Sequence, residues 1–332
     1  MFELLGLSLL LAALLTFNSA ATLVVAGIWR VAGRLTGNWS AAARARLLFF
    51  LRTFPTIIAV LFAVFLLVPA YLAYEPRHTN ENVSLKLGLL ALLSATGIGV
   101  SAYRAFATNR ATSRLTSDWL RHGKPIQIAG INVKSYEIHH QFPLIGIVGF
   151  LRPRLFIASQ VLQLLTPEEI AAAIAHENGH LTARDNLKRG VLQACRDALL
   201  IIPSGRSLDK AWSEASEEAA DENAARQGHG VALDLASALV KIARIIPLGA
   251  RPTMPAGVFL LGVEESKGIL SRVRRLLALA DHGTASRSDL LARLVVWGPA
   301  LLLLGVFIAG ATSTQLLSEV HGAIEHVVSA LS

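Results

Sequence analysis

Long uncharged apolar runs constrain this chain more than any other feature. A helix needs roughly 20 apolar residues to cross a bilayer, and such runs predict four transmembrane helices at about 4–29, 54–74, 87–103 and 294–318. Only 16% of the 332 residues are charged, against roughly 25% in a typical globular protein. The runs therefore exclude a disordered chain and a purely soluble fold.

The positive charges indicate how these helices are oriented. The loop between the first two predicted spans contains arginines and no acidic residue, and the segment after the third span is again basic. Because loops rich in Lys and Arg stay in the cytoplasm, we expect residues 104–293 to be cytoplasmic, both termini to lie outside, and 319–332 to form a short extracytoplasmic tail. The predicted location is a bacterial-type cell (inner) membrane. Topology explains the net charge of +8, and no nucleic acid is expected as a partner.

Residues 104–293 are numerous enough for one domain with its own core, inserted between the third and fourth spans. From 125 to 159, β-branched and aromatic residues broken by Gly and Pro predict short strands. The sequence Thr166-Pro167-Glu168-Glu169 then predicts a helix start, because it combines a capping Thr, a Pro at the first helical position and a Glu that can bond back. Further helices are predicted at about 207–227 and 231–246. The expected fold is a mainly α membrane protein with an α+β insert.

The first of these helices carries His176-Glu177-Asn178-Gly179-His180. Histidines four apart lie on one helical face one turn apart, so both imidazoles can reach a single Zn²⁺. Glu177 lies beside them, where a carboxylate can act as a general base. Catalytic zinc keeps three protein ligands and one open position. The chain has one cysteine, Cys195, so a four-cysteine site is excluded and the metal site must use His and carboxylates.

An acidic cluster in the next predicted helix supplies the candidates for the third ligand. Glu217 and Asp221 are four apart and share a helical face. Glu217 can therefore bind the metal while Asp221 hydrogen-bonds a ligand histidine. Glu218, paired with Glu214 or Glu222, is the alternative. Glu217 is preferred, and both assignments stay open at this point.

These motifs resemble those of the BlaR/MecR-type membrane zinc metallopeptidases, known from antibiotic-sensing receptors, and more distantly those of the HtpX and CAAX-prenyl protease group. Four segments of the insert carry the resemblance: Gly149-Phe150-Leu151-Arg152-Pro153-Arg154, Leu165-Thr166-Pro167-Glu168-Glu169, His176 to His180 with Arg184-Asp185-Asn186, and Glu217-x-x-Ala220-Asp221. The resemblance implies a zincin-like (gluzincin) domain. It also implies that His176, His180 and Glu217 are the zinc ligands, Glu177 the general base and Asp221 the supporting carboxylate.

The chain departs from these families in two places. The antibiotic receptors carry a penicillin-binding sensor after the last span, and this chain does not, so we expect it not to be a β-lactam receptor of that design. The prenyl-protease group places a histidine near a later Arg-rich helix to stabilise the oxyanion. The comparable stretch here, Ser271-Arg272-Val273-Arg274-Arg275, has none. Arg272 and Arg274 are therefore the candidates for that role.

The sequence thus predicts an integral membrane zinc endopeptidase with a cytoplasmic active site. Its expected partners are the lipid bilayer, a protein or peptide substrate and a separate sensor protein. The substrate would be a transcriptional repressor cleaved in signalling, or a target of membrane-protein quality control. The alternative is a non-proteolytic signalling or scaffold protein that retains the zinc-binding metallopeptidase fold.

Overall fold

The computed structural model describes residues 2–77, 83–198, 205–246, 266–282 and 290–331. Helices dominate these ranges. A 3-10 helix, Gly33–Asn38, follows α1, and a π-helical turn, Ala63–Leu67, joins α2 to α3. The α-helices are α1 (Phe2–Ala32), α2 (Ala41–Phe62), α3 (Val68–Tyr74), α4 (Leu85–His122), α5 (Ser159–Leu164), α6 (Pro167–Ala183), α7 (Asp185–Asp197), α8 (Arg206–Ala225), α9 (His229–Ile245), α10 (Ser266–His282), α11 (Leu290–Thr312) and α12 (Thr314–Leu331).

Within the described ranges, three helices are long and apolar enough to cross a membrane: Phe2–Val31, Ala41–Tyr74 and Leu85–His122. The first agrees with the span predicted at 4–29. The other two contain the spans predicted at 54–74 and 87–103 but continue past them, so the domain boundary placed at 104 falls inside α4. Charged residues end the apolar runs of α2 and α4, but they do not end the helices, because the arginines of both helices pair with acidic residues of the insert.

The fourth predicted span, 294–318, is not one helix in the structure. α11 and α12 meet at a bend of 89° around Ser313. The Oγ of Ser313 accepts a hydrogen bond from the backbone N–H of Leu316, which caps the new helix. Gly310 allows the close approach, because a Cβ there would lie 2.9 Å from Leu316. The residues predicted as a tail therefore belong to α12 as far as Leu331.

The extensions of α2 and α4 hold the insert against the membrane helices. In α2, Arg52 Nε donates to Oδ1 of Asp209 at 2.9 Å, close to the start of α8. In α4, Arg104 Nη1 donates to Oδ1 of Asp197 at 2.9 Å, at the end of α7. Two helices of the insert are thus each tied to a helix of membrane length.

The predicted strands form one four-stranded sheet in the order β1-β2-β4-β3. β2 pairs parallel with β4, while β1 and β3 are antiparallel edge strands. The main core lies between this sheet and helices α6 and α9. β3 is completely buried, and its outer edge lies beside α6. The strands are β1 (Lys124–Ile126), β2 (Ser135–Ile138), β3 (Ile145–Val148) and β4 (Arg154–Ala158).

The helix starts predicted for the insert are confirmed. Thr166 Oγ1 accepts from the N–H of Glu169, and the Glu169 carboxylate accepts from the N–H of Thr166, which completes a capping box at α6. The helices predicted at 207–227 and 231–246 are α8 and α9, with every end within two residues of the prediction.

Candidate metal centre

The candidate metal centre lies where α6 meets α8. His176, Glu177 and His180 of α6 are each at most 3% exposed. Gly179 on the same helix lets α8 approach closely, because a Cβ at this position would lie 3.0 Å from the Cα of Ala220. The small residues at this crossing therefore bring the histidines to the acidic face of α8.

Three potential ligand atoms converge at this crossing. The Nε2 atoms of His176 and His180 are 3.2 Å apart, and each is 3.7 Å from a carboxylate oxygen of Glu217. Ligands about 2.0–2.1 Å from a tetrahedral zinc ion lie about 3.3 Å from one another, so the spacing suits such an ion. Over the described ranges, this is the one group of three His, Cys, Asp or Glu side chains whose ligand atoms all lie within 4.8 Å.

Two carboxylates orient the imidazole rings. Nδ1 of His180 is hydrogen-bonded to Oδ2 of Asp185 at 2.9 Å, and Nδ1 of His176 lies 2.9 Å from Oδ1 of Asp221. An ionised carboxylate can only accept, so each ring is favoured to carry its proton on Nδ1. The two Nε2 lone pairs then point toward each other. A cation between them would satisfy both, and the residues present therefore fit a bound metal.

A sharp turn brings Asp185 back to His180. Arg184 lies between α6 and α7, and its backbone has the left-handed conformation, with φ 55° and ψ 40°. That conformation is uncommon for any residue other than glycine. It reverses the chain so that the first residue of α7 reaches the ring of His180. Sequence reasoning gave Asp185 no role, although a carboxylate five residues after the second histidine was the available signal.

Arg272 of α10 binds two carboxylates of α8, those of Asp221 and Glu217. Its Nη2 and Nε donate to the two oxygens of Asp221 at 2.7 and 3.1 Å, and its Nη1 lies 3.0 Å from Oε2 of Glu217. Arg272 is only 5% exposed, whereas Arg274 is exposed on the same helix. Of the two oxyanion candidates, the structure thus brings only Arg272 to the site, where its donors are directed at carboxylates.

The side chain of Glu218 points away from the two histidines, toward α2 and α10. It pairs with Arg44 of α2 and, at 2.6 Å, with Nη1 of Arg275 in α10. Of the two carboxylates left open by the sequence, the structure brings Glu217 to the histidines. Arg275 also donates to Oδ2 of Asp221 at 2.8 Å, a contact that sequence reasoning missed.

Burial and neighbouring charges set the protonation of the metal-free centre. Burial lowers the pKa of His176, and the cation of Arg272 lowers it further. Burial alone would raise the pKa of Asp221, but the charges and hydrogen bonds of Arg272 and His176 together outweigh it and hold this pKa at about 2. Burial raises the pKa of Glu177 to about 8. At neutral pH the metal-free centre therefore contains a neutral His176 and an ionised Asp221, and a bound cation would lower the pKa of Glu177.

Glu177 connects the centre to the edge of the sheet. Its Oε2 accepts a hydrogen bond from the backbone N–H of Ile147 in β3 at 3.2 Å. Its Oε1 is buried and has no hydrogen-bond partner among the residues that the structure describes. A buried unpaired oxygen costs roughly 1–3 kcal/mol. Such an atom suits a group that must exchange a proton with a substrate or with water.

The fold and the centre together define a class of protein: the part of the chain that the structure describes is mostly helical, with three helices of membrane length and a buried group of two histidines and a glutamate. Residues 146–252 match the model of Peptidase family M48. The matched segment is about one third of the chain. The matched segment contains all three potential ligands. No curated protein matches the chain. The family match and the apolar helices indicate a membrane metallopeptidase, while the resemblance to the BlaR/MecR type stays a prediction.

Proposed function

We propose that this chain is an integral membrane zinc endopeptidase that hydrolyses peptide bonds on the cytoplasmic side of the cell (inner) membrane. His176, His180 and Glu217 would hold one Zn²⁺, and Glu177 would be the general base. The observation that carries the proposal is the convergence of two imidazole Nε2 atoms on one buried carboxylate, inside the segment that matches a peptidase family.

The residues of this chain divide the chemistry between them. Zinc, when bound, polarises the carbonyl of the peptide bond and makes water more acidic. Glu177 takes a proton from the attacking water and delivers it to the leaving amine. The N–H of Ile147 holds Oε2 of Glu177, which leaves Oε1 for the proton. Asp185 and Asp221 hold the imidazole rings so that Nε2 can bind metal.

The contacts between the insert and the membrane helices support a cytoplasmic active site. Arg44, Arg52 and Arg104 belong to the basic segments that the positive-inside rule assigns to the cytoplasm. Each of them pairs with an acidic residue of the insert. The insert therefore lies on the same side of the apolar helices as these arginines. Both termini would lie outside in this topology, which requires the bent pair of α11 and α12 to cross the membrane as one broken span.

The substrate class follows from the resemblance to the antibiotic-sensing receptors. A transcriptional repressor is one candidate, with a separate sensor protein supplying the signal. Membrane-protein quality control is the other proposed role, and it does not rest on this resemblance. Either substrate would be a polypeptide that reaches the cytoplasmic face of the bilayer.

The test compares four forms of the full chain, purified in detergent and loaded with zinc: wild type, Glu177→Gln, Glu217→Gln and Glu218→Gln. Bound zinc and cleavage of a quenched fluorescent peptide library are measured for each. Wild type and Glu218→Gln should bind one zinc ion and cleave. Glu177→Gln should bind zinc but lose roughly 10²- to 10⁴-fold in rate.

Cleavage by Glu177→Gln at the rate of the wild type would overturn the mechanism. Loss of zinc with Glu218→Gln, and its retention in a Glu217→Gln variant, would reassign the third ligand. Zinc binding by the wild type without cleavage of any peptide would favour the alternative, a non-proteolytic signalling or scaffold protein.

A further inference from the structure

Helix α7 connects the candidate metal centre to a helix of membrane length. Its first residue, Asp185, is bonded to the ring of His180. Near its end, the backbone oxygen of Ala194 accepts a hydrogen bond from Oγ of Ser101 in α4 at 3.0 Å. Ser101 belongs to the uncharged run at 87–103. Because nine residues separate Asp185 from Ala194, α7 begins only about 14 Å from the apolar part of α4.

The contacts of α7 also indicate its depth in the membrane. Ala198, directly after α7, lies against Gly97 inside the uncharged run, where a Cβ on Gly97 would be 2.5 Å from the backbone oxygen of Ala198. In the first half of α7, Nζ of Lys188 lies 6.0 Å from the centre of the Phe49 ring in α2. Phe49 is three residues, or about 4.5 Å, before Arg52, the last charged residue ahead of the apolar run of α2. α7 therefore extends from the level of the lipid headgroups into the level of the acyl chains.

Exposed apolar side chains lie on this part of the insert. Leu187 and Val191 share one face of α7 and are 40% and 38% exposed. Leu151, in the turn that joins β3 to β4, is 88% exposed. The turn lies against α7, because a Cβ on Gly190 would be 3.3 Å from the ring of Phe150. We call Leu151, Leu187 and Val191 the turn–α7 patch. Adjacent exposed apolar residues with a polar rim are typical of an interaction surface.

The surroundings of the turn–α7 patch are cationic. Residues 149–154 and 184–191 contain five basic residues and a single acidic one, Asp185. Asp185 is buried and bonded to His180, so it contributes little negative charge to the surface. Arg152 and Arg184 are exposed. Anionic lipid headgroups attract such a rim.

We propose that the turn–α7 patch inserts into the lipid bilayer and that Arg152, Arg184 and Lys188 contact anionic headgroups. Lipid is the occupant, rather than another protein, because α7 itself reaches the apolar run of α4 and because the rim is cationic. The proposal goes beyond the proposed function and does not depend on it, since a non-proteolytic scaffold would make the same contact. It brings the start of α7, and with it His180, to the surface of the bilayer. A polypeptide held at the membrane could then reach the centre without leaving the membrane.

The experiment measures what surrounds single fluorescent labels on the full chain. The one native cysteine, Cys195, is buried and is replaced by Ala in every variant. Leu151→Cys and Leu187→Cys are labelled with bimane and placed in lipid nanodiscs that hold one copy each. Lipids with brominated acyl chains report contact with the bilayer, and iodide reports contact with water. Both labels should be quenched by the brominated lipid and lose most of their quenching by iodide.

Ile245→Cys is the matched control. Ile245 is 39% exposed, close to the 40% of Leu187. Lys241, one turn earlier in α9, binds Glu169 at the start of α6, and the opposite end of α6 adjoins α7. The label at 245 should therefore be quenched by iodide and unaffected by the brominated lipid. All labelled positions are exposed, and unchanged circular dichroism spectra verify that the variants are folded.

A second measurement tests the cationic rim. The label at 151 is studied in discs that contain equal amounts of phosphatidylglycerol and phosphatidylcholine, with bromine on either the anionic or the neutral lipid. The anionic lipid should quench more strongly. Arg152→Gln/Arg184→Gln should lower this preference at least about fivefold, the factor expected for one cation near an anionic surface. Arg244→Gln/Arg274→Gln, which changes two exposed arginines outside the patch, should leave the preference unchanged.

Three results would overturn the proposal. Iodide could quench the labels at 151 and 187 as strongly as the label at 245, which would place the patch in water. Neither quencher could reach the two labels, which would mean that protein covers the patch. Equal quenching by anionic and neutral lipid, unchanged in Arg152→Gln/Arg184→Gln, would refute the role of the cations. Because no cleavage is measured, each result is independent of whether the chain is a peptidase.

Discussion

Replacing Asp221 by Asn should weaken zinc binding and the fold together, because one carboxylate supports both. Oδ1 of Asp221 lies 2.9 Å from Nδ1 of His176, and Arg272 bonds both carboxylate oxygens at 2.7 and 3.1 Å. Asparagine keeps the shape of the side chain. It loses the charge, and one of its two terminal atoms becomes a donor that faces other donors.

The size of each effect follows from these contacts. Loss of a group that positions a metal-binding histidine typically weakens metal affinity 10- to 100-fold, or about 1.4–2.7 kcal/mol. Removing one partner of a buried ion pair typically costs about 3–5 kcal/mol. The lower end, about 3 kcal/mol, is expected, because Arg272 keeps Glu217 at 3.0 Å.

Zinc affinity is measured by competition with a chromophoric chelator, and the free energy of unfolding of the metal-free chain by denaturant titration in detergent. Asp197→Asn is the control, because Asp197 is also buried and bonded to an arginine, Arg104, but does not contact the histidines. It should lose stability and keep its zinc affinity. Equal zinc affinities of wild type and Asp221→Asn would refute the reasoning.

Three further changes test the centre. Because burial raises the pKa of Glu177 to about 8, this carboxyl stabilises the metal-free fold below its unfolded pKa near 4.5, and that contribution is lost as pH rises through 8. Glu177→Gln should therefore raise the free energy of unfolding at about pH 9 by a few kcal/mol and have little effect at about pH 4; the opposite pH dependence would contradict this. Gly179→Ala puts a Cβ 3.0 Å from the backbone of α8, so it should lower the free energy of unfolding by about 1–3 kcal/mol and weaken zinc binding. The control is Gly99→Ala, where the new Cβ has nothing within 4 Å, and this variant should keep its zinc affinity. In chemical unfolding, Arg272→Met should lower the free energy of unfolding by about 3–5 kcal/mol. Arg274→Met changes an exposed position and should lower it by less than about 0.5 kcal/mol. Similar losses in the two variants would refute the placement of Arg272.

The parts of the centre that were predicted from the sequence obey a local rule. Helical periodicity places His176 beside His180 and Glu217 beside Asp221 without knowledge of the rest of the fold. The capping box at Thr166 likewise needs only four consecutive residues. The first apolar run gave its helix to within a few residues, because hydropathy alone sets the length of a span.

The parts that were not predicted depend on contacts distant in the sequence. Arg272 reaches Asp221 from another helix, and nothing in its neighbourhood separates it from Arg274 except which one points toward α8. The extended ends of α2 and α4 depend on Asp209 and Asp197 of the insert, which pair with Arg52 and Arg104 on these two helices. The bend at Ser313 depends on a single hydroxyl cap inside an otherwise apolar run, where composition favours one continuous helix.

X-ray absorption at the zinc edge of the loaded full chain tests the central claim most directly. Two imidazole nitrogens and a carboxylate oxygen should appear at about 2.0–2.2 Å, and either His180→Ala or Glu217→Ala should remove this signature. A sulfur neighbour at about 2.3 Å, which would implicate Cys195, or a spectrum unchanged by both substitutions, would contradict the proposed metal centre.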